Sequence, residues 1–193
     1  LVATVLANSL RYNNLEVIEM GYGISLRPLS VFANEVYKEC DVKQFAVKLS
    51  NGDEARYSEK DKLLAARMHK AITIILFKLE GQKILRNPSF GMDDRLLLDK
   101  IDYEKGTVRI GEADYPMEDL DFPPVDPKDP YALTPEEDKL ISQLTRSFLY
   151  SQKLQRHVRF LYSKGSLYKV FNGNVLFHGC IPMTEDGEFL KLS

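Results

Sequence analysis

The 193-residue sequence has no tryptophan, three histidines and two cysteines. Cys40 and Cys180 are too few for a disulfide framework and fit a reducing compartment. No apolar run approaches the roughly 20 residues needed to span a bilayer, so a membrane protein is not expected. Neither sign of charge dominates: 26 Lys and Arg stand against 28 Asp and Glu, a net charge of -2. A whole-chain electrostatic grip on nucleic acid is therefore not expected. Phosphate-loop, dinucleotide-turn, nucleophile-elbow and C-x-x-C signatures are all missing. Gly21-Tyr22-Gly23 is too short a glycine cluster for a nucleotide loop. The chain opens on Leu1 in what reads as the middle of an amphipathic helix, and no leader is visible. The expectation is a piece of a longer, cytoplasmic protein.

What remains is ordinary globular composition with strong local punctuation. Val2, Val5, Leu6 and Leu10 fall at helical spacing. Residues 15–20 are ambiguous. Pro28 suits the first turn of a second helix carrying Leu29, Phe32, Ala33, Val36 and Tyr37 on one face. Asn51-Gly52 offers a hairpin turn between residues 45–49 and 54–57, with a loop as the alternative. Ser58 and Asp61 mark the start of the clearest helix. Its seam is Leu64, Met68, Ala71, Ile75 and Leu79, widened by Leu63, Ile72 and Leu76, with Gly81 as a plausible stop and continuation through residues 83–86 to Pro88 as the alternative. Residues 101–110 read as strand, turn and strand.

Residues 112–138 carry ten acidic side chains against Lys128 alone, and five of the nine prolines lie in 123–135. An irregular loop wrapped over a surface is expected, anchored by Phe122, Val125 and Tyr131. Thr134-Pro135-Glu136-Glu137 starts another helix. Its apolar faces, Ile141/Leu144/Phe148 and Leu154/Val158/Leu161, are out of phase, which predicts a break near residues 147–151. Two strands, 167–171 and 175–177, then flank Asn172-Gly173-Asn174, a tight-turn signal.

His69 sits in the long helix, where partial burial or plain exposure is expected. His157 lies among Lys153, Arg156, Arg159 and Lys164. That face is either simply solvated or binds anions, because Arg and Lys complement phosphate oxygens. His178 follows the short apolar strand 175–177 and precedes Gly179, so a neutral imidazole there could ligate a metal ion. Cys180 shares a strand face with His178, but no third orienting residue is evident, and a small buried role is the expectation. No catalytic nucleophile is assigned.

Phe177-His178-Gly179-Cys180-Ile181-Pro182 resembles the histidine-glycine motif of calcineurin-like metallophosphatases. RYNNLEVIEMGYGISLRPLSVFA (11–33), RLLLDKIDYEKGTVRI (95–110), DPKDPYALTPEE (126–137) and KLQRHVRFLYSKGSLYKVFNGNVLFHGCIPM (153–183) resemble class III fructose-1,6-bisphosphatase, in order and over most of the chain. The resemblance implies an α+β fold: a helix-dominated insertion with a small β-hairpin, plus strands belonging to a metallophosphatase sheet. It implies three parts: helical residues 1–40, an insertion over 41–133, and residues 134–193 rejoining the catalytic core.

The activity implied is hydrolysis of the 1-phosphate of fructose 1,6-bisphosphate in gluconeogenesis. The implied cofactor is two divalent ions, with Mn2+ as the expected metal. His178 matches a metal ligand, Gly179 gives close backbone approach, and Arg156, Arg159 and Lys164 are candidate substrate contacts. The family's D-x-H, G-D-x-x-D-R-G, G-N-H-D and G-H-x-P-type motifs are missing. The isolated chain is therefore expected to be inactive. Expected partners are a sugar bisphosphate and further copies of the chain, with neither nucleic acid nor membrane. The competing readings are a non-catalytic helical interaction module that docks through its acidic loop, and a metallophosphatase for another sugar phosphate.

Overall fold

The computed structural model describes residues 1–49, 57–179 and 183–190. The fold is α+β and helix-dominated, with two small antiparallel sheets among the described residues. The chain divides into two compact units, Leu1–Ser151 and Gln152–Ser193. No described helix is long and apolar enough to cross a membrane.

The first unit is built on α3 (Glu59–Leu85), which packs against α1 (Val2–Arg11) and α2 (Arg27–Val36). α4 (Pro135–Tyr150) packs on α1 and α2 as well. Leu6, Leu10, Leu29, Ile72, Ile75 and Leu144 are fully buried among these helices. Between α1 and α2, Val17–Gly21 forms a π-helical turn. It ends on Gly23 at φ 67, whose left-handed backbone lets the Gly23 and Ile24 amides reach back to the Glu19 and Ile18 carbonyls.

The two capping signals are realised. Ser58 Oγ accepts from the Asp61 amide and Asp61 Oδ2 accepts from the Ser58 amide, so the aspartate closes the box in full. Thr134 and Glu137 repeat the arrangement at α4, with Pro135 in its first turn.

Of the two ends read for α3, the structure takes the later one: the helix passes Gly81 and continues to Leu85. The Tyr131 ring lies where a Cβ at Gly81 would sit, with Cδ1 only 2.1 Å from that position. The glycine is there for close packing and not for a turn. Leu63, expected to widen the buried seam, is exposed. Lys70 and Lys78 are fully buried in its place. Lys70 Nζ donates to the Asp41 carbonyl at 2.8 Å and pairs with Asp119 at 2.8 Å. Lys78 Nζ donates to the Pro124 carbonyl at 2.6 Å and pairs with Glu137 at 2.7 Å.

Those two lysines pin the acidic loop to α3. Val125 and Tyr131 are buried as expected, and Phe122 is half-buried. The Tyr131 hydroxyl donates to Asp99 at 2.6 Å, and its ring joins Ile84, Leu96 and Leu98 in a second small core. The loop is not wholly irregular. Its start forms β3 (Ala113–Pro116), which pairs with β2 (Thr107–Ile110), itself paired with β1 (Ile101–Asp102). The hairpin read around Asn51-Gly52 lies outside the described residues at its turn. Residues 46–49 on its near side carry no regular structure.

The second unit begins after a single non-helical residue, Ser151. Its hydroxyl donates to the Tyr22 carbonyl at 2.6 Å, which supplies the expected break. α5 (Gln152–Lys164) follows, then a hairpin of β4 (Tyr168–Phe171) and β5 (Asn174–Phe177). The expected tight turn is present with two residues, Asn172 at φ 50 and Gly173 at φ 74, because Asn174 already belongs to β5. Among the described residues β4 and β5 pair only with each other, and no residue of this unit is buried.

Candidate functional site

α5 is amphipathic. At 3.6 residues per turn, Lys153, Arg156, His157 and Lys164 share one side, while Leu154, Val158 and Leu161 share the other. Arg159 flanks the basic side, and its Nε donates to the Gln155 carbonyl at 3.3 Å. Gln152, Lys153, Arg156 and Arg159 line one open groove. The structure thus brings together two of the three predicted substrate contacts. Lys164, the third, stands two helical turns further on at the end of α5, outside that groove. Lys153 and Gln152 were not among the candidate contacts. Their i, i+3 and i, i+4 spacing to Arg156 was the available signal.

Gly165 closes α5. Its amide donates to the Leu161 carbonyl at 2.7 Å, and a Cβ there would sit 2.5 Å from the same oxygen. The chain then turns into β4. Tyr168 pairs with Phe177, so His178 emerges beside Leu167, three residues beyond the end of the basic helix. Gly179 follows at φ 99 with open space where a side chain would be. That backbone is disfavoured for other residues and leaves room beside the imidazole.

A divalent cation needs several donors at once. Among the described residues no three His, Cys, Asp or Glu side chains group to hold one. His178 fits as a single donor at a strand end; a complete centre is not present in these residues. Cys180 lies outside the described residues.

The first unit holds other chemistry-bearing side chains, each with a structural partner. His69 is half-buried, with Nδ1 3.0 Å from the Phe45 carbonyl and its ring edge-on to Phe45. Burial pushes its pKa below the usual imidazole value, which favours the neutral ring. Cys40 has its thiol pushed up to about 11, by burial first and then by Asp121, so it is protonated and a poor nucleophile at neutral pH. A cavity of about 440 Å³ lies between α2 and α3, walled by Leu26, Leu64 and Met68 and edged by Glu16, Arg27 and Asp61. Among the described residues its lining has no histidine or cysteine.

A family model described as Firmicute fructose-1,6-bisphosphatase matches residues 1–193. The chain is similar to the class 3 fructose-1,6-bisphosphatase of Clostridium novyi, with 53% identity over 192 residues, covering 100% of this chain and 28% of that protein. Against the class 3 fructose-1,6-bisphosphatase of Listeria innocua the identity is 52% over 190 residues, covering 98% of this chain and 29% of that protein. The Alkaliphilus metalliredigens protein of the same name is 52% identical over 192 residues. The chain therefore spans under a third of the length of the curated relatives it matches. No solved structure matches it.

Proposed function

This chain belongs to the Firmicute fructose-1,6-bisphosphatase family, and from that premise we propose that it forms part of a metal-dependent phosphatase that converts fructose 1,6-bisphosphate to fructose 6-phosphate and phosphate. The observation that carries the reading is the similarity along the whole chain, at half or more of its positions, to proteins of that name. In this reading residues 1–40 form a helical segment, 41–133 form the insertion, and 134–193 lead into the catalytic core. The enzyme acts in the cytoplasm, in gluconeogenesis, and the open edges of the β4–β5 hairpin favour self-association.

His178 is proposed as one ligand of a two-ion site, with manganese as the metal. When bound, the ions supply an activated water and neutralise phosphoryl oxygens. The remaining donors belong to the parts of the relatives that this chain does not span. Gly179 keeps the approach to the imidazole clear, since nothing lies within 4 Å of where its Cβ would be. Arg156 and Arg159 bind and orient sugar phosphate through charge-assisted hydrogen bonds, and Lys164 adds a point charge at the end of α5.

The test is phosphate release from fructose 1,6-bisphosphate by the full-length protein with manganese. Full-length His178→Ala is expected to bind less metal by elemental analysis and to lose most of its activity. The 193-residue chain alone is expected to release no phosphate above background. An H178A enzyme with full metal content and rate would remove the ligand assignment. A full-length protein without bisphosphatase activity would remove the whole reading.

A further inference from the structure

Tyr37 and Glu137 are both fully buried in the first unit, and each carries a polar atom with no hydrogen-bond partner among the described residues: the Tyr37 hydroxyl and Glu137 Oε1. A buried polar atom left in this way forfeits its hydration with no return. The topology brings the two side chains toward each other. α2 packs on α4, and at the far end of α4 the Ser151 hydroxyl donates to the carbonyl of Tyr22, which precedes α2. The two helices therefore run antiparallel. Tyr37, the residue that follows α2, lies toward Glu137 in the first turn of α4. Burial first, and then the Glu137 charge, raises the pKa of the Tyr37 phenol, so its O–H stays protonated and is a donor. One orphan is thus a donor and the other an acceptor. Neither is free to swing away: the Tyr37 ring lies edge-on to Phe32 with centroids 6.3 Å apart, and Glu137 Oε2 is held by the Thr134 amide and Lys78 Nζ.

We infer that one internal water molecule bridges these groups, accepting from the Tyr37 hydroxyl and donating to Glu137 Oε1. Buried waters occur where two to four otherwise unsatisfied polar groups face one another. A cation suits the position less well. Glu137 is already paired with Lys78 at 2.7 Å, and Lys70 with Asp119 at 2.8 Å, so a further positive ion would add charge that no buried partner here balances. The water makes Glu137 a three-way junction. Oε2 joins the start of α4 to the middle of α3, and Oε1 joins it through the water to the end of α2. This site is independent of the phosphatase reading.

The experiment uses the full-length protein. A crystal structure at a resolution that shows ordered waters is expected to place one water oxygen within about 3.2 Å of both Tyr37 Oη and Glu137 Oε1. A direct bond between the two side chains, or no water between them, overturns the inference. In solution, Tyr37→Phe keeps the ring and removes one anchor of the bridge. It is expected to lower the urea midpoint by about 0.5 M. An unchanged or raised midpoint overturns the bridge, because deleting an unpartnered hydroxyl loses no hydrogen bond. The unaltered protein is expected to have the same midpoint in sodium, potassium and choline chloride at equal ionic strength. Stabilisation by sodium or potassium that Tyr37→Phe abolishes assigns the position to a cation and overturns the water. If the variant does not fold, the crystal structure of the unaltered protein decides alone.

Discussion

The two units of this chain solve the folding problem to different degrees. The first buries whole side chains: Tyr37, Leu6, Leu10, Ile72, Ile75 and Leu144 are almost wholly removed from solvent, together with two lysines and a glutamate. In the second, no described residue is buried, although Leu161, Val170, Phe171, Val175, Leu176 and Phe177 are all large and apolar. Both units carry clean local signals, with capping boxes in one and an Asn-Gly turn in the other. Local propensity is therefore not what separates them. The difference is the apolar surface each can remove from water by itself, which sets most of a domain's stability. A segment whose sequence specifies strands but supplies no cover for them is expected to be stabilised by surface outside itself.

That contrast can be broken most forcefully at Lys78. Lys78→Ala leaves Glu137 buried without its cation and is expected to destabilise the first unit by about 3–5 kcal/mol in urea unfolding. Lys78→Met with Glu137→Leu removes both charges and is expected to recover part of that loss, the remainder reflecting the Thr134 amide and Pro124 carbonyl left without partners. Gly81→Ala drives a methyl group into the Tyr131 ring and is expected to cost about 1–3 kcal/mol in the same measurement. Ser58→Ala removes one half of a capping box and should cost about 1 kcal/mol.

His69 gives a smaller, pH-dependent effect. Burial holds its folded-state pKa below the unfolded value of 6.5, so the unfolded chain binds more protons there. The contribution is fully present above that value and is lost as pH falls through it toward the lower folded-state pKa. His69→Gln is expected to flatten this part of the stability profile as pH falls below the unfolded value. The smallest effect sharpens the comparison: Val175→Ala in this chain should change stability by less than about 0.5 kcal/mol, because Val175 is exposed. In the full-length protein the same substitution should cost about 1 kcal/mol or more, if other parts of the protein cover the hairpin.

Much of the architecture was legible locally. Thr134, Pro135 and Glu137 announced α4, Ser58 and Asp61 announced α3, and Asn172-Gly173 announced the closing hairpin, each because a few adjacent residues determine the geometry. The misses are all non-local. Lys70 and Lys78 break the apolar seam of α3, and nothing near them in sequence shows that they are inside. Their carboxylate partners, Asp119 and Glu137, are 49 and 59 residues away. The reason for a glycine at 81 was likewise hidden until Tyr131 is seen against it. β3 hides in an acidic, proline-rich stretch because its pairing with β2, and not its own composition, makes it a strand. In the candidate site only the local placement was legible: Arg156 and Arg159, at i, i+3, line one groove as helical spacing allows. The partners of His178 were not, since no described group of donors surrounds it.

One oxygen in the first unit serves two masters. Glu137 Oε2 accepts from the Thr134 amide at 2.8 Å, which closes the start of α4, and from Lys78 Nζ at 2.7 Å, which joins that start to the middle of α3. The last helix of the unit therefore completes its own beginning in the same event that docks it. Nucleation of α4 and its long-range assembly become a single cooperative step, and a chain caught with one formed and the other open should be scarcely populated.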